Sequence, residues 1–216
     1  MNFNYSKTLN PQKALIWRIV HMNNIPWILD NGLHSGKSNI QCENWISIGS
    51  AELIDKRASH PVPIFPNGYL NDYVPFYFTP FSPMLLNIKS GRGVQQRSNN
   101  EIVILVSSLF KIQELKLKYV FTDMHAYYKW ATFYSNLEDL KNIDWEILQR
   151  RDFSRDENDT AKFERYQAEA LIHQHCPVNA LLGIVCYNEQ NEEDLNALLQ
   201  QRKLKIPVYK RSGWYF

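Results

Sequence analysis

The sequence lacks the short signatures by which nucleotide- and metal-binding proteins are most often found. No G-x-G-x-x-G follows a candidate strand and no G-x-x-x-x-G-K-[ST] occurs, so any bound nucleotide needs a different architecture. The SGRG cluster at 90–93 is only turn-like. Cysteine is scarce: Cys42, Cys176 and Cys186 form neither an even set nor a CxxC pair, which points to reduced thiols. His173-x-His175 beside Cys176 has no second ligand pair at metal spacing, so no metal is expected. The opening MNFNYSKTLNPQK has no basic-then-apolar leader pattern, and no apolar run approaches about 18 residues. A cytoplasmic protein without a membrane segment is the expectation. Net charge is also small, +2 over 216 residues, so the global field does not announce a nucleic-acid binder and only a local basic groove is left.

Aromatic residues are what the sequence has in quantity. Six Trp and twelve Tyr suit stacking on planar ligands and equally suit an aromatic core. The length and the absence of repeats or linkers predict one domain over 1–216. ALIWRIVH (14–21) reads as a strand ending at His21, and NNIPWILDNG (23–32) as a short helix closed by Gly32. Residues 33–75 are loop-like, yet hold Trp45, Ile46, Ile48 and Leu53, which predicts an ordered ligand-covering loop. VPFYFTP (74–80), EIVILVS (101–107) and KYVFTD (118–123) read as strands, the second buried on both faces. Between the first two, SPMLLNIKSGRGVQQR places Lys89, Arg92 and Arg97 among glycines, where they could track the phosphates of a single strand. HAYYKWATFYSNLEDL (125–140) looks helical, as does DWEILQRRD (144–152), and Asp152, Asp156 and Asp159 read as a solvated loop face. GIVCYN, EEDLNALLQQRKL and IPVYKRSGWYF close the chain as strand, helix and strand. Irregular interspersion of helices and strands argues for an α+β domain.

The stretch RYQAEALIH (165–173) places Glu169 among Ala168, Ala170, Leu171 and Ile172. An unpaired buried carboxylate costs several kcal/mol, so a glutamate there is exposed, paired or functional. On a strand, period two puts Arg165, Gln167 and Glu169 on one face. A Q-x-E pair at a strand start resembles the catalytic pair of mono-ADP-ribosyltransferases, and strand-H-x-[ND]-N-helix-G-L resembles the start of that fold.

Four segments in order, IVHMNNIPWILDNGL, NWISIGSAELIDKRASHPVP, DYVPFYFTPFSPML and FERYQAEALIHQHCPV, extend the likeness over essentially the whole chain. Together they resemble DNA ADP-ribosyltransferase toxins of the DarT type, partners of macrodomain antitoxins. The resemblance implies an ADP-ribosyltransferase fold, with split mixed or antiparallel sheets flanked by helices. It implies transfer of ADP-ribose from NAD to thymidine in single-stranded DNA, with release of nicotinamide and no metal. By the same resemblance His21, Met22 and Asn23 hold NAD, residues 42–56 cover it, Arg57 is the essential arginine and Glu169 the catalytic glutamate. Met84, His125 and Arg165 fall on the DNA side, and Arg92 of the basic cluster joins them as a candidate DNA contact. Tyr77 matches a strand tyrosine that related transferases place against nicotinamide, although core packing is expected for Phe76, Tyr77 and Phe78. The alternatives are a guanine acceptor, a protein acceptor, or a non-catalytic module that binds single-stranded DNA. Because guanidinium stays protonated in proteins, Arg57 reads as an electrostatic aid and not as a base.

Overall fold

The computed structural model describes residues 4–216. Its centre is an eight-stranded sheet in the order β10-β9-β4-β1-β3-β7-β5-β6. The strands are β1 (Leu15–His21), β3 (Tyr73–Tyr77), β4 (Ile102–Ser108), β5 (Tyr119–Thr122), β6 (Phe133–Tyr134), β7 (Glu169–His173), β9 (Gly183–Cys186) and β10 (Val208–Lys210). A small antiparallel pair, β2 (Leu33–His34) with β8 (His175–Cys176), lies apart from it. All the pairings are antiparallel except β9 with β10, which the helix α7 (Glu189–Gln201) connects. The sheet is therefore mixed.

Register shows where it is split. β1 and β4 pair along seven residues, from Leu15 with Ser108 to His21 with Ile102. β3 and β7 pair along five, from Tyr73 with His173 to Tyr77 with Glu169. Between these halves β1 and β3 share a single pair, Trp17 with Tyr77. Beyond it the strands part, and the Arg18 guanidinium reaches across to the Pro75 carbonyl at 2.7 Å. The expected α+β architecture with divided sheets is the one observed.

The core follows from the β-branched runs. Ile102, Val103, Ile104 and Leu105 of β4 are at most 1% exposed, so β4 is buried on both faces as expected. Each such side chain contributes about 1.5–3 kcal/mol by leaving water. Helix α1 (Ile25–Asn31) has Pro26 in its first turn and ends at Gly32, whose φ is 78°. A Cβ at Gly32 would lie 2.6 Å from His175 Nε2 and 2.7 Å from the Cys176 carbonyl, so β8 can approach only a glycine. Helix α2 (Ala51–Arg57) interrupts the long connection, with the Ser50 hydroxyl accepting from Leu53 N–H at its start.

Three local features differ from the expectations. Residues 83–90, to which the pattern assigns no element, form helix α3 (Pro83–Ser90), capped by Ser82 and closed by Gly91 in the left-handed region. Residues 125–140 are not one helix: two successive turns, a strand and a 3-10 segment replace it. The Thr132 amide donates to Asp123 Oδ1 at 3.0 Å, closing residues 123–132 as the loop of the β5–β6 hairpin. Sheet pairing of Phe133 and Tyr134 with Thr122 and Phe121 outweighs the helical spacing of the aromatics. Finally, β7 begins only at Glu169, after helix α6 (Lys162–Arg165) and a turn, so Arg165, Gln167 and Glu169 do not share a strand face. Helices α4 (Leu109–Glu114) and α5 (Trp145–Arg150) complete the fold.

Candidate active site

The split between β1 and β3 opens into a cavity of about 460 Å³, within the usual range of about 300–1,000 Å³ for small-molecule sites. Arg18 to His21 of β1 form one wall; Tyr73, Pro75 and Tyr77 of β3, with Glu169 of β7, form the other. Trp45, Ile46 and Ile48 of the loop before α2, and Leu53 of α2 itself, also line it, so the apolar residues of this connection are turned toward the cavity. Its attachment is specific. Asn24, 2% exposed, donates through Nδ2 to the Ile46 carbonyl and accepts from the Ile46 amide through Oδ1, both at 2.9 Å. Trp27 of α1 meets Trp45 edge-on at 5.9 Å between centroids.

Glu169 is 1% exposed. It is also paired. Arg57 Nη1 lies 3.1 Å from Oε1 and 3.0 Å from Oε2, and the Ala126 amide donates to Oε1 at 3.0 Å. The last turn of α2 thus carries the arginine from the cover down to a carboxylate on the sheet. Burial by itself would push the carboxyl up, but the Arg57 charge, then His125, the Ala126 amide and the Arg57 hydrogen bond, outweigh it, holding Glu169 below the ordinary glutamate value. The second nitrogen, Arg57 Nη2, is buried and has no partner. A buried donor without an acceptor costs about 1–3 kcal/mol, and in a cavity wall it marks where a ligand oxygen would be welcome.

His125 completes the group, its Nδ1 lying 3.3 Å from Glu169 Oε1. Burial first, then Arg57, lower its pKa, against an opposing pull from Glu169, so the ring is neutral at pH 7. The Tyr127 amide donates to Nδ1 at 3.2 Å. We therefore assign the neutral ring's proton to Nε2, leaving Arg57 as the cation beside the carboxylate.

The remaining expected residues divide. His21, 4% exposed, lines the cavity, with Nδ1 accepting from Asn23 N–H at 3.1 Å and Nε2 3.4 Å from Glu101 Oε1. Met22 and Asn23 are not among the lining residues: in the 3-10 turn after β1, Met22 packs against the core and Asn23 is exposed, while the buried Asn24 lines the cavity. Met84 on α3 lines it and accepts from the Tyr77 hydroxyl at 3.7 Å. Phe76 and Phe78 are core, as expected, whereas Tyr77 faces the cavity. Gln167 reaches it from the turn before β7 and not from a shared strand face. Arg92 is exposed past the end of α3, outside the lining, and Arg97 is paired with Glu101 at 3.2 Å. Asn24 and Arg18 had no motif to betray them. The signal for Asn24 was only a capping-type residue beside a strand end.

Arg165 is not among the residues that line the cavity. It donates to Asp144 at 3.0 Å and to both oxygens of Asp159 at 2.9 and 2.6 Å, while Lys162 binds Asp152. The acidic segment is thus a solvated face, as expected, whose aspartates are also ion-paired. Arg165→Ala should loosen residues 152–161 and cost about 1 kcal/mol, since these pairs are partly exposed. A melting temperature equal to wild type would remove this clamp.

With this geometry in place, the comparisons are specific. The family profile described as ssDNA thymidine ADP-ribosyltransferase, DarT, matches residues 17–216. A DNA ADP-ribosyl transferase of Escherichia coli O127:H6 (strain E2348/69 / EPEC) is 63% identical over 217 residues, covering 100% of both chains. Among solved structures, Thermus sp. 2.9 DarT in complex with ADP-ribosylated ssDNA superposes with a TM-score of 0.87 at 32% identity, covering 100% of both chains. The same protein in complex with NAD+ gives 0.84 at 31% identity, covering 95% of this chain and 99% of the other. A chain matched along its whole length in sequence and in fold, with a buried glutamate held by an arginine in the split of its sheet, belongs to the DarT family of DNA ADP-ribosyltransferases.

Proposed function

We propose that this protein transfers ADP-ribose from NAD to thymidine in single-stranded DNA and releases nicotinamide. The observation that carries the reading is Glu169, fully buried yet kept charged, facing a cavity large enough for a nucleotide. The site residues suit NAD: Arg57 Nη2 offers an unused donor, and His21 and Asn24 lie where the cover meets β1. Positive charge develops on the ribose when its glycosidic bond breaks. A desolvated carboxylate fixed at that point stabilises the change without having to reorganise. Arg57 keeps the carboxylate ionised until then. His125 of the β5–β6 hairpin loop and Met84 of α3 both line the cavity, and the acceptor base would enter against them. Thymine N3 must lose a proton to attack, and Glu169 is the group able to take it there, since His125 Nδ1 already accepts from the Tyr127 amide.

Incubation with NAD and single-stranded oligonucleotides differing in one base tests this directly. Modification only where thymidine is present supports it; a guanine-only or polypeptide product would replace it, and intact NAD would leave a binding module. Arg92, exposed beyond α3, is placed to meet a phosphate. A toxin role countered by a macrodomain hydrolase in the cytoplasm is proposed on the family likeness. No helix among the described residues is long and apolar enough to cross a membrane.

The cover supplies a further expectation. NAD should protect the amides of residues 42–56 from hydrogen exchange far more than those of 190–204, because the Asn24–Ile46 pair and the Trp27–Trp45 contact would close over it. Equal protection in both segments would rule out a cover.

A further inference from the structure

The hairpin loop that carries His125 into the site carries an unburied indole out of it. Trp130 is 63% exposed, an uncommon state for tryptophan. One face of its ring stacks on Tyr128, with centroids 5.1 Å apart and planes at 28°. Tyr128 in turn meets His125 edge-on at 5.8 Å, and His125 lies 3.3 Å from Glu169. A continuous aromatic path thus runs from the buried carboxylate to the surface. The loop is rigid enough to present it: Asp123 and Thr132 close its base, and the His125 amide donates to the Glu164 carbonyl at 3.0 Å. Tyr127, between these rings, packs on His60 at 5.3 Å. Lys129, exposed between Tyr128 and Trp130, is the cation on the path itself; Arg155 lies near Tyr128 together with the Glu164 carboxylate, and Lys56 near Tyr127 is paired with Glu52. Aromatic faces interleaved with Lys and Arg are the surface that unpaired nucleotides take, because every base offers a π-face and every linkage a negative charge.

We propose that Trp130, backed by Tyr128, is a stacking platform for a base one or two nucleotides from the acceptor in the single-stranded substrate. Charge complementarity and continuity with the site through His125 favour this occupant over a protein partner. The inference rests on the single-stranded DNA reading above. A duplex could not reach the platform, because its bases stack on each other, so the platform also selects for unpaired DNA.

The test measures binding of a fluorescein-labelled single-stranded oligonucleotide with one central thymidine by anisotropy. Trp130→Ala should weaken binding about tenfold, within the range of one base–aromatic stack, while Trp130→Phe should lose much less. Phe110→Ala is the control. That residue is also exposed, but α4 follows the end of β4 opposite the site, so binding should not change. Replacing the neighbouring bases one at a time by abasic residues should cost affinity in wild type at one position and nothing further in Trp130→Ala. An unchanged Trp130→Ala affinity, or the same abasic penalty in both proteins, would overturn the proposal. Transfer is scored separately, by nicotinamide release. Trp130-dependent binding without any transfer would sink the thymidine-transfer reading and leave the platform standing.

Discussion

Glu169→Gln is expected to fold and to lower ADP-ribose transfer by about 10²–10³-fold, the scale of removing one preorganised charge from a desolvated site. Glutamine keeps the volume, so the core around β7 stays filled, and its amide oxygen can still accept from the Ala126 amide. What disappears is the charge facing the ribose. The new amide nitrogen also confronts Arg57 Nη1, a donor against a donor, where the carboxylate oxygens now sit at 3.1 and 3.0 Å. A modest stability loss of about 1–3 kcal/mol should accompany this. Single-turnover rates at saturating NAD separate the chemical loss from weakened binding, and a thermal melt confirms the fold. Retention of a tenth of the wild-type rate, a loss of only about 1.4 kcal/mol, would mean that Glu169 is not the stabilising charge.

Arg57→Ala has the second large effect, and its signature is a reversal of sign. In wild type the Glu169 pKa lies below its ordinary value of 4.5. That group's contribution to stability is therefore present above pH 4.5 and lost as pH falls through the lower folded value. Its neighbour His125, also held below its ordinary 6.5, adds to acid sensitivity in the same direction. Without Arg57 the largest opposing cause is gone, and burial is expected to push the Glu169 carboxyl above 4.5 against the weaker pull of His125 and the Ala126 amide. The same group then stabilises the acid form, and that part of stability falls as pH rises through its new folded value. Breaking a pair this buried should cost about 3–5 kcal/mol at neutral pH, less whatever protonation of Glu169 recovers. Transfer should fall steeply at pH 7 and recover in part at higher pH, where the carboxyl ionises again. Lysine should not restore it, since one ammonium cannot both hold the carboxylate and supply the second donor that Nη2 provides. Denaturant melts and rates across pH 4–9 would show both trends. A variant whose stability rises with pH as in wild type would contradict this electrostatic account.

The sequence made the strands legible where burial is two-sided. The run Ile102–Leu105 could be little else, and β1 ends at His21 as its pattern implied. Helix α3 is also written in the sequence, since Ser82, Pro83 and Gly91 are its cap, first-turn and stop residues. Residues 125–140 misled for another reason. Aromatics at helical spacing were preferred by sheet pairing and by the Asp123–Thr132 closure, which depend on β5 lying alongside. For Glu169 the local pattern posed the right question and supplied a wrong geometry, because the strand starts at the glutamate itself. Its answer, Arg57, lies 112 residues away. No periodicity reaches that far, and only the family likeness put the two together. Asn24 was invisible next to Asn23, because a single 3-10 turn decides which of them points inward.

The central claim is that a carboxylate removed from water stays ionised at the split of the sheet. Titration of protein labelled with ¹³C at the glutamate carboxyls, followed by NMR, tests it most directly. One resonance, absent from Glu169→Gln, should keep the shift of an ionised carboxylate through pH 4.5, titrate only below it, and move to higher pH in Arg57→Ala. A Glu169 resonance with the shift of a protonated carboxyl at pH 7 would contradict the account.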